Sequence, residues 1–215
     1  DRRMRVLIAG NGIAGNEVAF SLRRARPDCE ITILSAERFP EYDPCSLPYF
    51  IGRDVPRDAV FRKRWQDYRD RRIELVLDQP AAAIDPESQE VRTAQGLSYR
   101  YDRLVLAHGG SLFIPPIEGI RLEGVHSCKE LAAADRLDQS SGSAAVVIGS
   151  GAIGIEAAEA LKKRGYTVTI VELLDWILPA LFDPETAARL AQRLEECGIR
   201  VLTSEKVRRI EGEER

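Results

Sequence analysis

The chain has 215 residues, a formal net charge of −3 and 44% hydrophobic residues, enough to bury a core in one large domain or two small ones. The near-neutral charge argues against nucleic acid as the main partner, and no apolar run approaches the ~18 residues that a membrane helix needs. The start lacks the apolar segment of a signal peptide. The four cysteines are far apart, without metal-type pairing. We therefore expect a cytoplasmic protein with no metal site.

The first element pattern is a βαβ unit. The apolar run from Val6 to Ile8 predicts a strand, and a Gly-x-Gly-x-x-Gly turn follows it. Helical spacing of apolar residues comes next, and the β-rich run from Ile31 to Leu34 closes the unit. In such a turn the first glycine allows tight bending, the second admits a pyrophosphate, and the third lets helix and strand pack closely. The unit predicts a dinucleotide site whose three glycines are Gly10, Gly12 and Gly15.

An acidic residue is expected after the closing strand, because a carboxylate can accept hydrogen bonds from the ribose diol. Ser35 occupies that place here, and Glu37 follows two residues later. Glu37 is therefore the candidate for the first ribose. The alternative interpretation is that Glu37 is a solvated surface residue without a binding role.

The middle of the chain has a different pattern. Residues 57–72 are rich in arginine and predict a helix with a solvated polar face. The run "IELVL" predicts a strand, "AAAIDPESQEVRT" predicts two strands joined by a turn, and "LSYRYDRLVLAHGG" predicts a further strand pair. A proline pair then marks a linker, so we divide the chain into domains 1–115 and 116–215.

The second domain repeats the βαβ unit and glycine turn of the first. "AAVVIGSGAIGIEAAEALKKRGYTVTIVELLD" resembles "RVLIAGNGIAGNEVAFSLRRARPDCEITILSAE", and its turn carries Gly149, Gly151 and Gly154. Glu172 directly follows the closing strand, where it would repel a 2′-phosphate, and no arginine follows at once. This favours NADH over NADPH. One such turn is weak evidence, whereas two in full βαβ frames are strong.

A last helix and strand complete the pattern. Asp183 is the expected N-cap, Pro184 the first helical residue and Gly198 the C-cap, and "IRVLT" predicts the strand. The fold class is therefore α/β, with two Rossmann-like dinucleotide-binding domains. The second repeat stops after its third strand.

These residues together resemble the FAD-dependent pyridine nucleotide-disulfide oxidoreductases over almost the whole chain. "YDRLVLAHGGSLFIPPIEGI" is similar to the family signature YD-LV-ATG-P--PPI-G, with His108 in place of the usual threonine. The resemblance implies a three-layer ββα FAD/NAD(P)-binding fold, with FAD at the first glycine turn and NADH at the second. It also implies that this chain is a fragment in which the C-terminal part of the fold is missing, and that the full-length form is a homodimer.

The stretch "CSLPYFIG", which begins at Cys45, resembles "CGLPYYIG" of the single-cysteine branch. That branch includes coenzyme A-disulfide reductases, NADH oxidases and persulfide reductases, and its cysteine lies against the flavin and is oxidised and reduced in turn. A small side chain packed near the flavin is the alternative. "LSAERFPEYDPCSLP" also resembles "EEPHLPYxRPPLS" of the rubredoxin, ferredoxin and nitrite reductase-type flavoproteins, which pass electrons to a protein without a cysteine.

The resemblance implies that hydride from NADH reduces the flavin and that electrons then leave through Cys45 to a small disulfide or persulfide, or to oxygen. Reduction of an electron-carrier protein is the alternative, and a truncated nucleotide-binding module without turnover is a third. The resemblance assigns Cys45 and Glu156 to catalysis, Glu156 being expected near the nicotinamide. The residues expected to bind the cofactors are Gly10, Gly12, Ile13, Ala14, Gly15, Glu37, Arg38, Pro48, Ala81, Ala107, Gly109, Gly149, Gly151, Ile153, Gly154 and Glu172.

Overall fold

The computed structural model describes residues 3–212, which divide into two compact units. Of the described residues, the N-terminal unit comprises 3–43 and 61–111, and the C-terminal unit comprises 44–60 and 112–212. Residues 44–60 pack with the C-terminal unit.

Strands and helices alternate along much of the described chain. The strands are β1 Arg5–Ala9, β2 Glu30–Leu34, β3 Ile73–Val76, β4 Ala81–Asp85, β5 Glu90–Thr93, β6 Ser98–Arg100, β7 Arg103–Leu106, β8 Ala144–Ile148, β9 Thr167–Val171 and β10 Ile199–Leu202. The α-helices are α1 Ile13–Ala25, α2 Leu47–Ile51, α3 Trp65–Asp70, α4 Leu131–Gln139, α5 Ala152–Lys163 and α6 Pro184–Glu196. Two short 3₁₀ segments are Pro44–Ser46 and Arg57–Val60.

The N-terminal unit has three layers. Its parallel sheet has the order β3-β2-β1-β7, and a separate antiparallel sheet has the order β4-β5-β6. Successive residues of a strand point to opposite faces, so Ile8 of β1 packs in a cluster with Ala19 of α1 and Tyr68 of α3. Leu7 packs in a different cluster with Val91 of the antiparallel sheet. Helices, parallel sheet and antiparallel sheet therefore form the predicted ββα arrangement.

The C-terminal unit has a parallel sheet of order β10-β9-β8. Helix α5 contacts β8 and β9, and α6 contacts β10. The sheet core includes Val168 and Ile170, which are almost completely buried. Val146 of β8, in contrast, is 64% exposed. The prediction of an α/β fold with Rossmann-type parallel sheets is confirmed.

Residues 44–60 join the C-terminal unit through both apolar and ionic contacts. Leu47 and Ile51 of α2 are 0% exposed, and α2 contacts α4 and α5. A side chain at Gly52 would lie 3.4 Å from the Cα of Ala160, so helix α5 passes close to the end of α2. The ion pairs of this segment are Arg57–Asp135 at 2.6 Å, Lys163–Asp54 at 2.9 Å and Arg53–Asp138 at 3.2 Å.

Two local predictions were wrong. The helix expected over residues 57–72 is a 3₁₀ segment followed by the short helix α3. Between them Phe61 forms an isolated antiparallel bridge with Tyr42, and Asp67 accepts a hydrogen bond from the backbone N–H of Arg64 at 2.6 Å, which starts α3 late. The strands β6 and β7 do not pair with each other, because β6 joins β5 and β7 joins β1.

The last helix begins as predicted. The Asp183 carboxylate accepts a hydrogen bond from the backbone N–H of Thr186 at 3.0 Å, and Pro184 is the first helical residue. Gly198 follows the helix end with a φ of 78°. This left-handed conformation is the one that glycine adopts without strain.

Candidate dinucleotide-binding sites

The first glycine turn follows β1 directly. Gly10 has a φ of 122°, and a Cβ there would overlap the backbone carbonyl of Ala107. A Cβ at Gly15 would overlap the carbonyl of Gly10. At Gly12, by contrast, no atom lies within 4 Å of the Cβ position. The first and third glycines are therefore required by packing, and the second leaves the backbone accessible to a ligand.

Several predicted residues of the N-terminal unit lie at the same edge of the parallel sheet. The register aligns β1 with β2 and β7, so the residues that follow these strands are neighbours at their carboxyl ends. Parallel α/β sheets bind ligands at that edge. The residues placed there are Gly10, Glu37, Arg38, Ala107 and Gly109. Ile13 and Ala14 are exposed at the start of α1, and Ala81 is exposed at the start of β4.

Glu37 is half-buried and has defined partners. Its carboxylate oxygens accept hydrogen bonds from the Tyr42 hydroxyl at 2.9 and 3.1 Å. The buried Ser35 binds the backbone of Glu37 twice, since its Oγ donates to the carbonyl at 2.8 Å and accepts from the N–H at 3.1 Å. Ser35 thus shapes the strand end, and the carboxylate of Glu37 is held in place. Ribose binding by Glu37 stays a prediction.

The second glycine turn repeats the geometry of the first. Gly149 has a φ of 93°, and its N–H donates to the carbonyl of Val171 at 2.9 Å. A Cβ at Gly154 would overlap the carbonyl of Gly149, while the Cβ position of Gly151 has no atom within 4 Å. Ile153, which follows the turn, is 48% exposed. This turn is therefore also open at its second glycine.

Glu172 is attached to this second turn. One of its oxygens accepts from the Ser150 N–H at 2.8 Å and the Ser150 Oγ at 2.5 Å, and the other accepts from the Leu174 N–H at 2.9 Å. Burial is the largest influence and acts to raise the pKa, but the hydrogen bonds from Ser150 and the Leu174 backbone together hold the pKa of Glu172 below its ordinary value. Glu172 is therefore ionised at neutral pH and suited to accept hydroxyl groups.

The predicted catalytic residues lie in the C-terminal unit. Cys45 is exposed in the 3₁₀ segment, and Pro48 is buried at the start of α2. Both therefore belong to a different unit from the first glycine turn. Glu156 is exposed one turn into α5. Burial raises the pKa of the Cys128 thiol to about 11, so this thiol is protonated at neutral pH and is a poor nucleophile.

Sequence reasoning missed the polar residues that support the two turns. Asn16 is 1% exposed, Ser150 is 0% exposed and Tyr68 is 2% exposed. All three make hydrogen bonds at or beneath a turn. Helical periodicity treats polar residues as surface positions, so only the position of Ser150 and Asn16 inside or just after a glycine motif could have drawn attention to them.

These features define a protein with two dinucleotide-binding folds, each with an open glycine turn at the end of a parallel strand. The chain belongs to the pyridine nucleotide-disulphide oxidoreductase family, whose model matches residues 4–215. The predicted family is therefore confirmed, and FAD and NADH are the cofactors of that family of enzymes. Within residues 3–212, we find no helix that is both long and apolar enough to cross a membrane.

Individual relatives have different activities. A NADH oxidase of Methanocaldococcus jannaschii is 33% identical over 99% of this chain and 50% of that protein. The structure of a NAD-dependent persulfide reductase from A. fulgidus matches with a TM-score of 0.93 and 32% identity, covering 98% of this chain and 42% of that one. A ferredoxin reductase from Rhodopseudomonas palustris matches with a TM-score of 0.89 and 28% identity, covering 97% and 52%. The chain spans about half the length of the curated relatives that it matches.

Proposed function

We propose that this chain is the nucleotide-binding part of an FAD-dependent oxidoreductase that takes hydride from NADH and passes electrons to a small disulfide or persulfide, or to oxygen. The observation that carries this proposal is the pair of glycine turns, each open at its second glycine. Two open turns provide for two dinucleotides, and a hydride transfer between nucleotide cofactors needs both.

The residues present fit these groups. At each turn the open backbone at Gly12 or Gly151 directly precedes a helix, whose free N–H groups and positive dipole end attract a pyrophosphate. The ionised Glu172 is suited to bind the two ribose hydroxyls of NADH and would repel a 2′-phosphate. We assign the first turn to FAD and the second to NADH, following the order of the two domains in the family resemblance.

FAD, when bound, would accept two electrons from NADH and pass them to the next acceptor. The chain itself binds and orients the nucleotides. With a disulfide as the acceptor, NADH and one proton yield NAD⁺ and two thiols. We propose Cys45 as the residue that forms the mixed disulfide with this substrate, because it is exposed in a sequence like that of the single-cysteine branch. Glu156 is proposed to lie near the nicotinamide.

Reduction of an electron-carrier protein is the second candidate. It is favoured by the match to a ferredoxin reductase and by the resemblance of the segment before Cys45 to the carrier-reducing flavoproteins. Three further predictions stay proposals: a homodimer in the full-length form, a cytoplasmic location and a division of the chain near residue 115.

The visible absorption spectrum tests the proposed function. Purified chain supplied with FAD and freed of excess should be yellow, and the colour should bleach when NADH is added under argon. A chain that binds both nucleotides without bleaching would be a binding module. A chain that stays colourless after FAD addition would contradict the assignment of the first turn.

Substitution of Cys45 distinguishes the two electron acceptors. With Cys45→Ser, we expect NADH to bleach the flavin as before, while reduction of a low-molecular-weight disulfide or persulfide falls to background. Cys197→Ser, at another exposed cysteine, is the matched control and should have no effect. Unchanged disulfide reduction by Cys45→Ser would contradict the role of this thiol and favour an electron carrier as acceptor.

A further inference from the structure

The two glycine turns have similar backbones but different supports. In the second turn the middle residue, Ser150, bonds directly to the Glu172 carboxylate. In the first turn the middle residue is Asn11, and Ser35 replaces the acidic residue. The support of the first turn must therefore come from elsewhere in the N-terminal unit.

That support is the buried amide of Asn16. Its Nδ2 donates to the carbonyl and Oδ1 of Asn11 at 2.8 and 2.9 Å, and reaches the carbonyl of Gly12 at 3.1 Å. Asn16 is 1% exposed. One side chain thus holds both the middle residue and the open glycine of the turn from the interior.

Tyr68 of α3 fixes the orientation of this amide. Its hydroxyl donates to the Asn16 Oδ1 at 2.8 Å and accepts from the Glu41 N–H at 3.1 Å. Tyr68 is 2% exposed, and burial raises its pKa, so the hydroxyl keeps its proton at neutral pH. Because Oδ1 accepts the hydrogen bond from the Tyr68 hydroxyl, the Nδ2 of Asn16 must face the turn.

The same network reaches the segment that follows Glu37. The Nδ2 of Asn11 donates to the carbonyl of Phe39 at 2.9 Å, and Glu41, two residues later, binds Tyr68. The phosphate side and the ribose side of the first candidate site are therefore held by one continuous set of hydrogen bonds, of which the Tyr68 bonds to Asn16 and Glu41 are fully buried. A network in which every member has its partner is rigid, and the loss of one donor leaves its partner unsatisfied.

We propose that Asn16 and Tyr68 are positioning residues of the first nucleotide site, which hold its turn and its ribose segment in the geometry that binds FAD. This inference rests on the proposed function. In the second site Ser150 holds the turn, through its hydrogen bonds to Glu172. Each turn is therefore held by its own network and can be disturbed separately.

The FAD affinity of the 215-residue chain tests the proposal. The variant Tyr68→Phe removes one hydroxyl, and we expect FAD binding, measured by quenching of flavin fluorescence, to weaken about tenfold. The matched control is Tyr101→Phe, at a tyrosine of the same unit that is 7% exposed and packs with Leu7 and Val91. The control should bind FAD like the unmodified chain.

A reciprocal variant separates local positioning from general loss of stability. Ser150→Ala should weaken the binding of NADH, followed by its fluorescence, and leave FAD affinity unchanged. Tyr68→Phe should do the reverse. If both variants weaken both nucleotides equally, the residues act only through overall stability and the proposal is overturned. If Tyr68→Phe fails to fold, Asn11→Ala tests the half-buried end of the same network.

Hydrogen exchange gives a readout that needs no nucleotide. In the unliganded chain, Tyr68→Phe should speed amide exchange at residues 10–12 and leave residues 149–151 unchanged. Unmodified chain that fails to bind FAD would refute the proposed function, and the exchange result would still decide whether Tyr68 holds the turn. FAD affinity and exchange both equal to those of the unmodified chain would refute the inference and leave the proposed function intact.

Discussion

At the scale of single residues, Glu172 shows how a fold can keep a buried carboxylate charged. The side chain is 8% exposed, and such burial disfavours the charged form. Three hydrogen bonds, two from Ser150 and one from the Leu174 N–H, more than offset this burial. The result is an ionised group of fixed orientation, since its hydrogen bonds exist before any ribose arrives.

The depressed pKa of Glu172 predicts a pH-dependent stability. The pKa of Glu172 in the folded chain lies below the ordinary value of 4.5. The ionised carboxylate therefore contributes its full stabilisation of the fold above pH 4.5, and this contribution is lost as the pH falls through the folded pKa. We expect Glu172→Gln to lower the free energy of unfolding by about 1–2 kcal/mol at pH 7. Thermal unfolding from pH 3 to pH 7 should show this difference shrinking as the pH falls.

The control for that measurement is Glu185→Gln. Glu185 lies on α6 with its side chain 80% exposed, so its replacement should change stability little at any pH. A deficit of Glu172→Gln that stays constant down to pH 3 would show that the loss comes from packing and not from the carboxylate charge.

At the scale of elements, the segment of residues 44–60 is held in place by paired charges as well as by apolar packing. Arg57 contacts Asp135 of α4 through two N–H groups, at 2.6 and 2.8 Å. This two-point geometry is more specific than that of a single contact. The hydrogen bonds that Arg57 donates to Asp135 raise the pKa of Arg57, so the guanidinium is charged at neutral pH. Residue Cys45, the proposed thiol, lies in this segment.

A double-mutant cycle over Arg57→Ala and Asp135→Ala should measure this attachment. We expect a coupling of about 0.5–1 kcal/mol in the free energy of unfolding, because the pair is partly exposed and solvent screens it. The matched control is the pair Arg189–Glu185, whose side chains are 79% and 80% exposed. Equal coupling in the two pairs would mean that the attachment of residues 44–60 does not depend on this contact.

Elements that are specified by neighbouring residues could be predicted from the sequence. The βαβ units and the start of α6 are specified by neighbouring residues: apolar periodicity, a glycine turn, or Asp183 before a proline. The arginine-rich run of residues 57–72 has no such local signal for its break. Its helix is interrupted because Phe61 pairs with Tyr42, a partner that is distant in the sequence. The supports of the two turns depend on distant partners too, as Tyr68 beneath Asn16 shows.

At the scale of the whole molecule, each unit has its own parallel sheet, glycine turn and buried supporting network. The existence of two nucleotide-binding folds could be predicted because the motif occurs twice in the sequence. The assignment of residues 44–60 to the C-terminal unit could not, because it results from packing of α2 on α4 and α5. Val146, which is 64% exposed, shows that part of the second sheet remains uncovered in this chain.

The bond between Ser150 and Glu172 also affects how coenzyme preference can change, whether by evolution or by engineering. Replacing Glu172 alone to admit the extra phosphate of NADPH would leave the buried N–H and hydroxyl of Ser150 without their acceptor. A successful switch therefore needs a compensating change at Ser150 or a substituent that can accept both hydrogen bonds. The proposed preference for NADH would in this sense be protected against single substitutions.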